Sequence, residues 1–220
     1  MLRVFLAIAL SLPLPQIPAG TWHYQSRMEV EGKTISTVPV KLDIVEERGR
    51  WVVTETTSMP SGEVIESVEM DRDTWAPRKH SIMQGAMRLV ATFEGGKLTG
   101  SATIGAETKL LEAQIETGVL PGGPAVAVLM SAGLLDKTNA LTFRYFDIKT
   151  LTAVARVAHI VREPVTVPAG DFMTSKFVFA TPGTGVVRQT VWVAVTDRRI
   201  VKTATTIPEA KAVVINELLK

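Results

Sequence analysis

Residues 164–179 read P-V-T-V-P-A-G-D-F-M-T-S-K-F-V-F, and residues 191–203 read V-W-V-A-V-T-D-R-R-I-V-K-T. Runs rich in β-branched and aromatic residues, broken by P-A-G and by T-D-R-R, predict three strands joined by two turns. Pro168 fixes φ and Gly170 permits a left-handed backbone, so P-A-G makes a tight turn. Phe172 is expected to anchor the next strand, and Trp192 to cover the inner face of the sheet.

The same grammar extends outward through most of the chain. Val38, Val40, Leu42 and Ile44 alternate with polar residues, which marks a half-buried strand over 34–46. Pro39 inside it has no N–H to donate, so that strand is expected at an edge or to begin late. Val64, Glu66, Val68 and Met70 alternate along 63–71. Gly95-Gly96 separates two alternating runs and supplies the positive φ values of a two-residue hairpin. Turn signals recur about every ten residues, the spacing of a sandwich, barrel or strongly curved sheet.

The pattern breaks at 118–138. Gly118 to Gly123 reads G-V-L-P-G-G, a flexible loop, and Pro124 suits the first turn of a helix. Ala125 to Leu135 reads A-V-A-V-L-M-S-A-G-L-L, apolar on every side but Ser131. A helix apolar all round is buried, and at 1.5 Å per residue this one is about 17 Å long, too short for a bilayer. It is expected to be a core helix plugging the open side of a curved sheet, or a movable lid over an apolar cavity. The fold class is therefore all-β with one central helix: a strongly curved antiparallel sheet, or incomplete β-barrel, plugged by an apolar helix. Residues 20–220 are expected to form a single domain.

Composition narrows the function classes. The 220 residues carry 24 Lys and Arg against 22 Asp and Glu, mixed along the chain, without the basic stripe that nucleic acid needs. With no cysteine, disulfides, thiolate metal sites and thiol nucleophiles are excluded. Met1-Leu2-Arg3, an apolar run from Val4 to Leu14 and the small residues Ala19-Gly20 are the parts of a secretory signal peptide, with cleavage after Ala19. The alternative is a buried first strand or helix. A cleaved leader implies a periplasmic or secreted protein with no membrane-spanning segment.

Chemistry is sparse. His23, His80 and His159 are far apart and show no metal-binding spacing. His159, which shares a face with Val157 and Val161, is expected to be a hydrogen-bonded histidine at the edge of the core. T-P-G-T-G at 181–185 lacks the lysine and helix of a phosphate loop, and reads as a hairpin loop. Glu46-Glu47 and Asp71-Asp73 read as solvated turn carboxylates. Arg198, Arg199 and Lys202 solvate a turn, or meet an acidic partner or a lipid headgroup. No catalytic residue, metal ligand or cofactor is expected.

The stretch Val167 to Phe172, with Lys176, the strand Val191-Trp192-Val193 and the turn from Asp197 to Lys202, resembles an uncharacterised bacterial envelope family marked by V-P-A-G-x-F. D-R-D-T-W-A-P at 71–77 resembles a strand-turn-strand of the same family. The strand count with a central apolar helix is also similar to the envelope's lipoprotein carriers of the LolA and LolB type. That resemblance implies an incomplete antiparallel barrel, closed by helices, whose apolar interior takes acyl chains. The leading expectation is a periplasmic binding module for a lipid or other apolar ligand, its cavity lined by Val126, Leu129, Met130, Leu134, Trp51 and Trp192. The alternative is a structural or interaction domain of the envelope, solid inside, that works through a protein partner. An enzyme ranks last, to be revived by a cleft bringing His80 or His159 to a carboxylate and a serine.

Overall fold

The structure, a computed structural model, describes residues 17–133 and 140–220. The leader segment through residue 16, and Leu134 and Leu135 of the expected helix, lie outside the described residues. The strands are β1 (Gly20–Val30), β2 (Lys33–Glu47), β3 (Arg50–Met59), β4 (Gly62–Asp71), β5 (Pro77–Gln84), β6 (Met87–Glu94), β7 (Lys97–Ile104) and β8 (Glu107–Gln114). After the helix α1 (Ala125–Ser131) come β9 (Ala140–Asp147), β10 (Thr152–Val167), β11 (Gly170–Ala180), β12 (Val187–Ala194), β13 (Ile200–Ile207) and β14 (Ala212–Leu218). All fourteen join one antiparallel sheet in the order β8-β7-β6-β5-β4-β3-β2-β1-β14-β13-β12-β11-β10-β9.

Each strand pairs with its neighbour in the chain, with one break between β8 and β9, while β1 pairs with β14. The break therefore falls in the middle of the chain. The sheet does not close by hydrogen bonds, but it coils until its two ends meet through side chains. Phe93 of β6 and Phe146 of β9 pack edge to face at 5.3 Å between ring centres. Eleven strand spacings separate those strands in the sheet, about 50 Å if it were flat.

The linker after β8 covers the free edge of β9. Leu120 donates its N–H to the Arg144 carbonyl at 2.8 Å and accepts from the Phe146 N–H at 2.9 Å. That satisfies backbone groups that an open edge leaves bare. The edge of β8 is guarded by charge, with Glu107, Lys109 and Glu112 on it.

The all-apolar segment forms a helix, shorter than its sequence pattern suggests: the described helix is seven residues, all buried. Two features stop it. Ser131 Oγ donates to the Val128 carbonyl at 2.7 Å, and Arg198 donates to the carbonyls of Ser131 (2.7 Å) and Met130 (3.3 Å). The last carbonyls of a helix need such donors. So Arg198 of the basic cluster is a helix cap. Of its neighbours, Arg199 pairs with Asp197 and Lys202 with Glu217.

Three further expectations change. Residues 164–203 hold parts of four strands and three turns, because the end of β10 precedes P-A-G and T-P-G-T-G is a hairpin loop between β11 and β12. β2 is an interior strand, yet its ladder with β3 starts at Val40, one residue after Pro39. The proline thus sits where the strand is an edge locally. His159 lies on the exposed outer face of β10, because the long β10 turns that face to solvent.

The apolar side chains form a main cluster around α1 and a smaller one under β5–β9 built on Ile82, Phe93, Leu98 and Phe146. Ile17, within the expected leader, packs on the main cluster at 2 % exposure. Gly100 marks a close approach of β7 to β6: a Cβ there would lie 2.1 Å from the Val90 carbonyl oxygen and 2.9 Å from the Ala91 Cα. Both obstacles are backbone and cannot swing aside. We predict that Gly100→Ala lowers the thermal midpoint by roughly 4–8 °C, the equivalent of about 2 kcal/mol for a chain of this size. Ser101→Ala, one residue on, should shift it by less than about 2 °C. Circular dichroism melting of both variants checks this.

Candidate functional site

β-strand alternation places Trp51, Val53, Glu55 and Thr57 on one face of β3, and Val64, Glu66, Val68 and Met70 on the matching face of β4. Val53, Val68 and Met70 are at most 1 % exposed, so this face is the interior. The register sets Glu55 directly opposite Glu66. Two carboxyl groups therefore point inward side by side, in positions that a packed barrel would fill with valine.

They open onto a cavity of about 660 Å3. Its floor is the start of α1, with Gly123, Pro124, Val126 and Ala127. Its apolar walls include Leu42, Phe143, Phe179 and Ile200, and its far end reaches Lys149 and the turn Ile207–Glu209. His80 Nε2 lies 2.8 Å from Glu66 Oε1, and toward an ionised carboxylate the ring acts as donor. The His80 ring is 2 % exposed. Tyr24, also on the wall, donates its hydroxyl to the Ile200 carbonyl at 2.9 Å. Across the cavity the Arg156 guanidinium lies over the Tyr145 ring, 5.5 Å from its centre.

Gly123 is required by this arrangement. Its φ is +59°, and a Cβ on it would stand 2.1 Å from Glu66 Oε1 and 3.2 Å from His80 Cε1. The loop before α1 thus lays bare backbone against the Glu66–His80 pair, and the positive φ with the close approach of Glu66 favours glycine there.

Burial and then the charge of Glu66 push the Glu55 carboxyl up to about 7. Glu55 is part-buried and lines the cavity. Among the described residues Glu55 has no hydrogen-bond or ion-pair partner. Burial, and next the Glu55 charge, also raise the Tyr24 phenol above its ordinary range.

Of the residues picked from sequence, Val126 lines the cavity. Leu129 and Met130 are fully buried against the sheet beneath the floor, outside the lining. Leu134 lies outside the described residues. Trp51 faces inward but is packed in the main cluster, outside the lining. Trp192 is a correction: it lies on the outer face, because its neighbours Val191 and Val193 take the interior at 0 % exposure. Its indole N–H donates to Glu163 Oε1 at 2.7 Å, and the Lys176 and Lys202 ammonium groups lie 5.4 and 5.6 Å from its ring centre.

The turn acids of the sequence lie apart from this wall, which is built from strand carboxylates. A signal was present: Glu66 occurs in phase with Val64, Val68 and Met70, and Glu55 in phase with Trp51 and Val53. A charged residue in phase with an apolar stripe marks a buried charge. His80 does meet a carboxylate, but Ser67 and Ser81, paired in that register, belong to the opposite face. No group of three or more His, Asp or Glu among the described residues could hold a metal ion.

No protein-family model matches the chain, and no curated protein matches it. Among solved structures, a beta-barrel-like protein of a domain of unknown function, DUF1849, from Brucella abortus superposes with a TM-score of 0.54. That match covers 91 % of this chain and 95 % of the other at 10 % identity. A LolA superfamily protein from Nitrosomonas europaea is matched over 94 % of this chain and 87 % of its own, at 6 % identity and a TM-score of 0.20. The Brucella protein shares the fold. The chain is thus similar in architecture to a protein of an uncharacterised family, as its motifs imply.

The raised Glu55 carboxyl makes stability depend on pH in a fixed direction. Between its ordinary value of 4.5 and about 7, the folded chain holds a proton that the unfolded chain has released. Stability therefore falls as pH rises through that window. We predict a thermal midpoint lower at pH 8 than at pH 5 by roughly 5 °C or more. Glu55→Gln, neutral at both values, should remove most of that difference and melt higher than the parent at pH 8. Calorimetry across pH 4–8 measures both.

Proposed function

We propose that this chain is a binding module which holds a small amphipathic or lipid-like ligand inside its coiled sheet. The observation that carries the reading is the cavity of about 660 Å3 above α1. Small-molecule sites run roughly 300–1,000 Å3, and this one matches in size, with a lining that mixes apolar walls and charged groups as an amphipathic ligand requires. A domain working only through its surface would fill its interior, because unfilled volume forfeits packing energy. The barrel-like fold is compatible with this reading but does not select it, since a fold carries many functions.

The reading includes an address. The sequence of residues 1–19 supports export to the periplasm or beyond, with the mature chain beginning at Gly20. No helix among the described residues is long and apolar enough to cross a membrane. N-terminal sequencing of protein recovered from the envelope fraction is expected to start at residue 20. A chain retained in full in the cytosol overturns the export reading.

Occupancy is tested directly. Native mass spectrometry and solvent extraction of the purified chain should reveal a co-purified small molecule, and a fluorescent fatty-acid probe should bind with one-to-one stoichiometry. Ala127→Trp places a large ring on the cavity floor and should weaken probe binding by about tenfold or more, while far-ultraviolet circular dichroism stays unchanged. Parent protein without extractable ligand or probe binding overturns the reading.

A further inference from the structure

We propose that Glu55, beside Glu66, receives a protonated primary amine, so that the cavity selects aliphatic ammonium compounds over neutral ligands of the same shape. This rests on the cavity reading above and names the chemistry of its ligand.

Glu55 is part-buried, faces the cavity and has no hydrogen-bond partner among the described residues. A carboxyl drawn partly out of water without a protein partner leaves a strong acceptor free for a ligand. Its cross-strand neighbour Glu66 is engaged by His80, so it cannot serve Glu55 as a donor. Once Glu55 gives up its proton, two carboxylates stand side by side with no donor between them, half of an interaction. An ammonium group, with three donors and one positive charge, completes it.

The surroundings suit an amine on an apolar body. Leu42 stands opposite Glu55 in the β2–β3 register, and Val126 and Ala127 supply the floor. Among the groups near Glu55, Tyr24 on β1 has its hydroxyl committed to the Ile200 carbonyl. Glu66 lies on β4 and His80 on β5, and α1 presents only apolar side chains to the cavity. The cations in the lining are Arg156, held over Tyr145 and by the Ala155 carbonyl, Arg188 on β12, and Lys149 at the far end. None of the three shifts the Glu55 carboxyl. A metal ion would need more ligands than two carboxylates.

Binding should move a proton. Near neutral pH Glu55 is partly protonated, and an arriving ammonium favours its ionised form. The neutral carboxyl then gives its proton to solvent and forms an ion pair with the ammonium, which keeps all its own protons.

The test compares n-octylammonium with n-octanol by isothermal titration calorimetry at pH 7, in two buffers of different ionisation heat that carry no primary amine, phosphate and HEPES. The parent chain should bind the ammonium about tenfold or more tightly than the alcohol. The two buffers should reveal net proton release with the amine and none with the alcohol. E55Q should bring the affinity ratio to about one and abolish the proton release. Circular dichroism checks that this variant folds, and the parent's ratio and proton release decide the matter if it does not. A parent that binds octanol as tightly as octylammonium, or an E55Q variant that keeps the preference, overturns the amine site and leaves the cavity reading intact. A parent that binds neither overturns both.

Discussion

Where the barrel opens is decided by the pairing of β1 with β14. Every other strand joins its neighbour in the chain, so linking the first strand to the last leaves a single gap, between β8 and β9. The segment that spans this gap must supply the missing side of the core. It does so with α1, whose every described residue is buried. A helix of seven residues has too little propensity to stand alone. The apolar interior holds it, and Arg198 from the β12–β13 turn caps its last carbonyls. The linker ahead of α1 pairs Leu120 with the free edge of β9 and sets Gly123 on Glu66. One topological choice thus fixes the break, the plug and the floor of the cavity.

The polar wall runs against the logic of a stable core. Residues in phase with Val53, Val68 and Met70 could be apolar at no cost to the strand pattern. Instead two carboxyl groups face each other there, and one is held largely neutral at the expense of folding stability above neutral pH. The two apolar clusters offset that loss. Local conflict of this kind, where every nearby rule but one is obeyed, is typical of sites shaped by something other than folding. The Glu66–His80 pair shows the same tension, since its close contact with the backbone of Gly123 leaves a side chain there no room unless the pair shifts.

Much of the architecture was legible from periodicity. Strand positions, the Gly95-Gly96 hairpin and the buried helix follow from alternation, turn residues and an unbroken apolar run. Three things were not. The helix end depends on Arg198, 67 residues away in sequence from Ser131, and no local pattern contains that. Which face of β12 is inward could not be read from Trp192, because Val191 and Val193 on the other face are also apolar and smaller. The site itself was half visible. Glu66 breaks an apolar stripe in plain view, but its neighbour across the strands and the cavity in front of it arise only when the sheet coils.

The motif residues that suggest a family do structural work on the side away from the cavity. Asp71 accepts the N–H groups of Asp73 and Thr74 and pairs with Arg78, which holds its carboxyl well below the usual range and aims Trp75 into the core. Trp192 links Glu163 on β10 with Lys176 and Lys202, and Lys202 passes the contact to Glu217. Each surface pair adds little alone, but together they tie five strands, β10 to β14, in register through outward side chains. The inward positions of the same strands carry none of that constraint. The stretch that resembles a family thus sets the register of β10 to β14, while the cavity's carboxyl pair stands on β3 and β4.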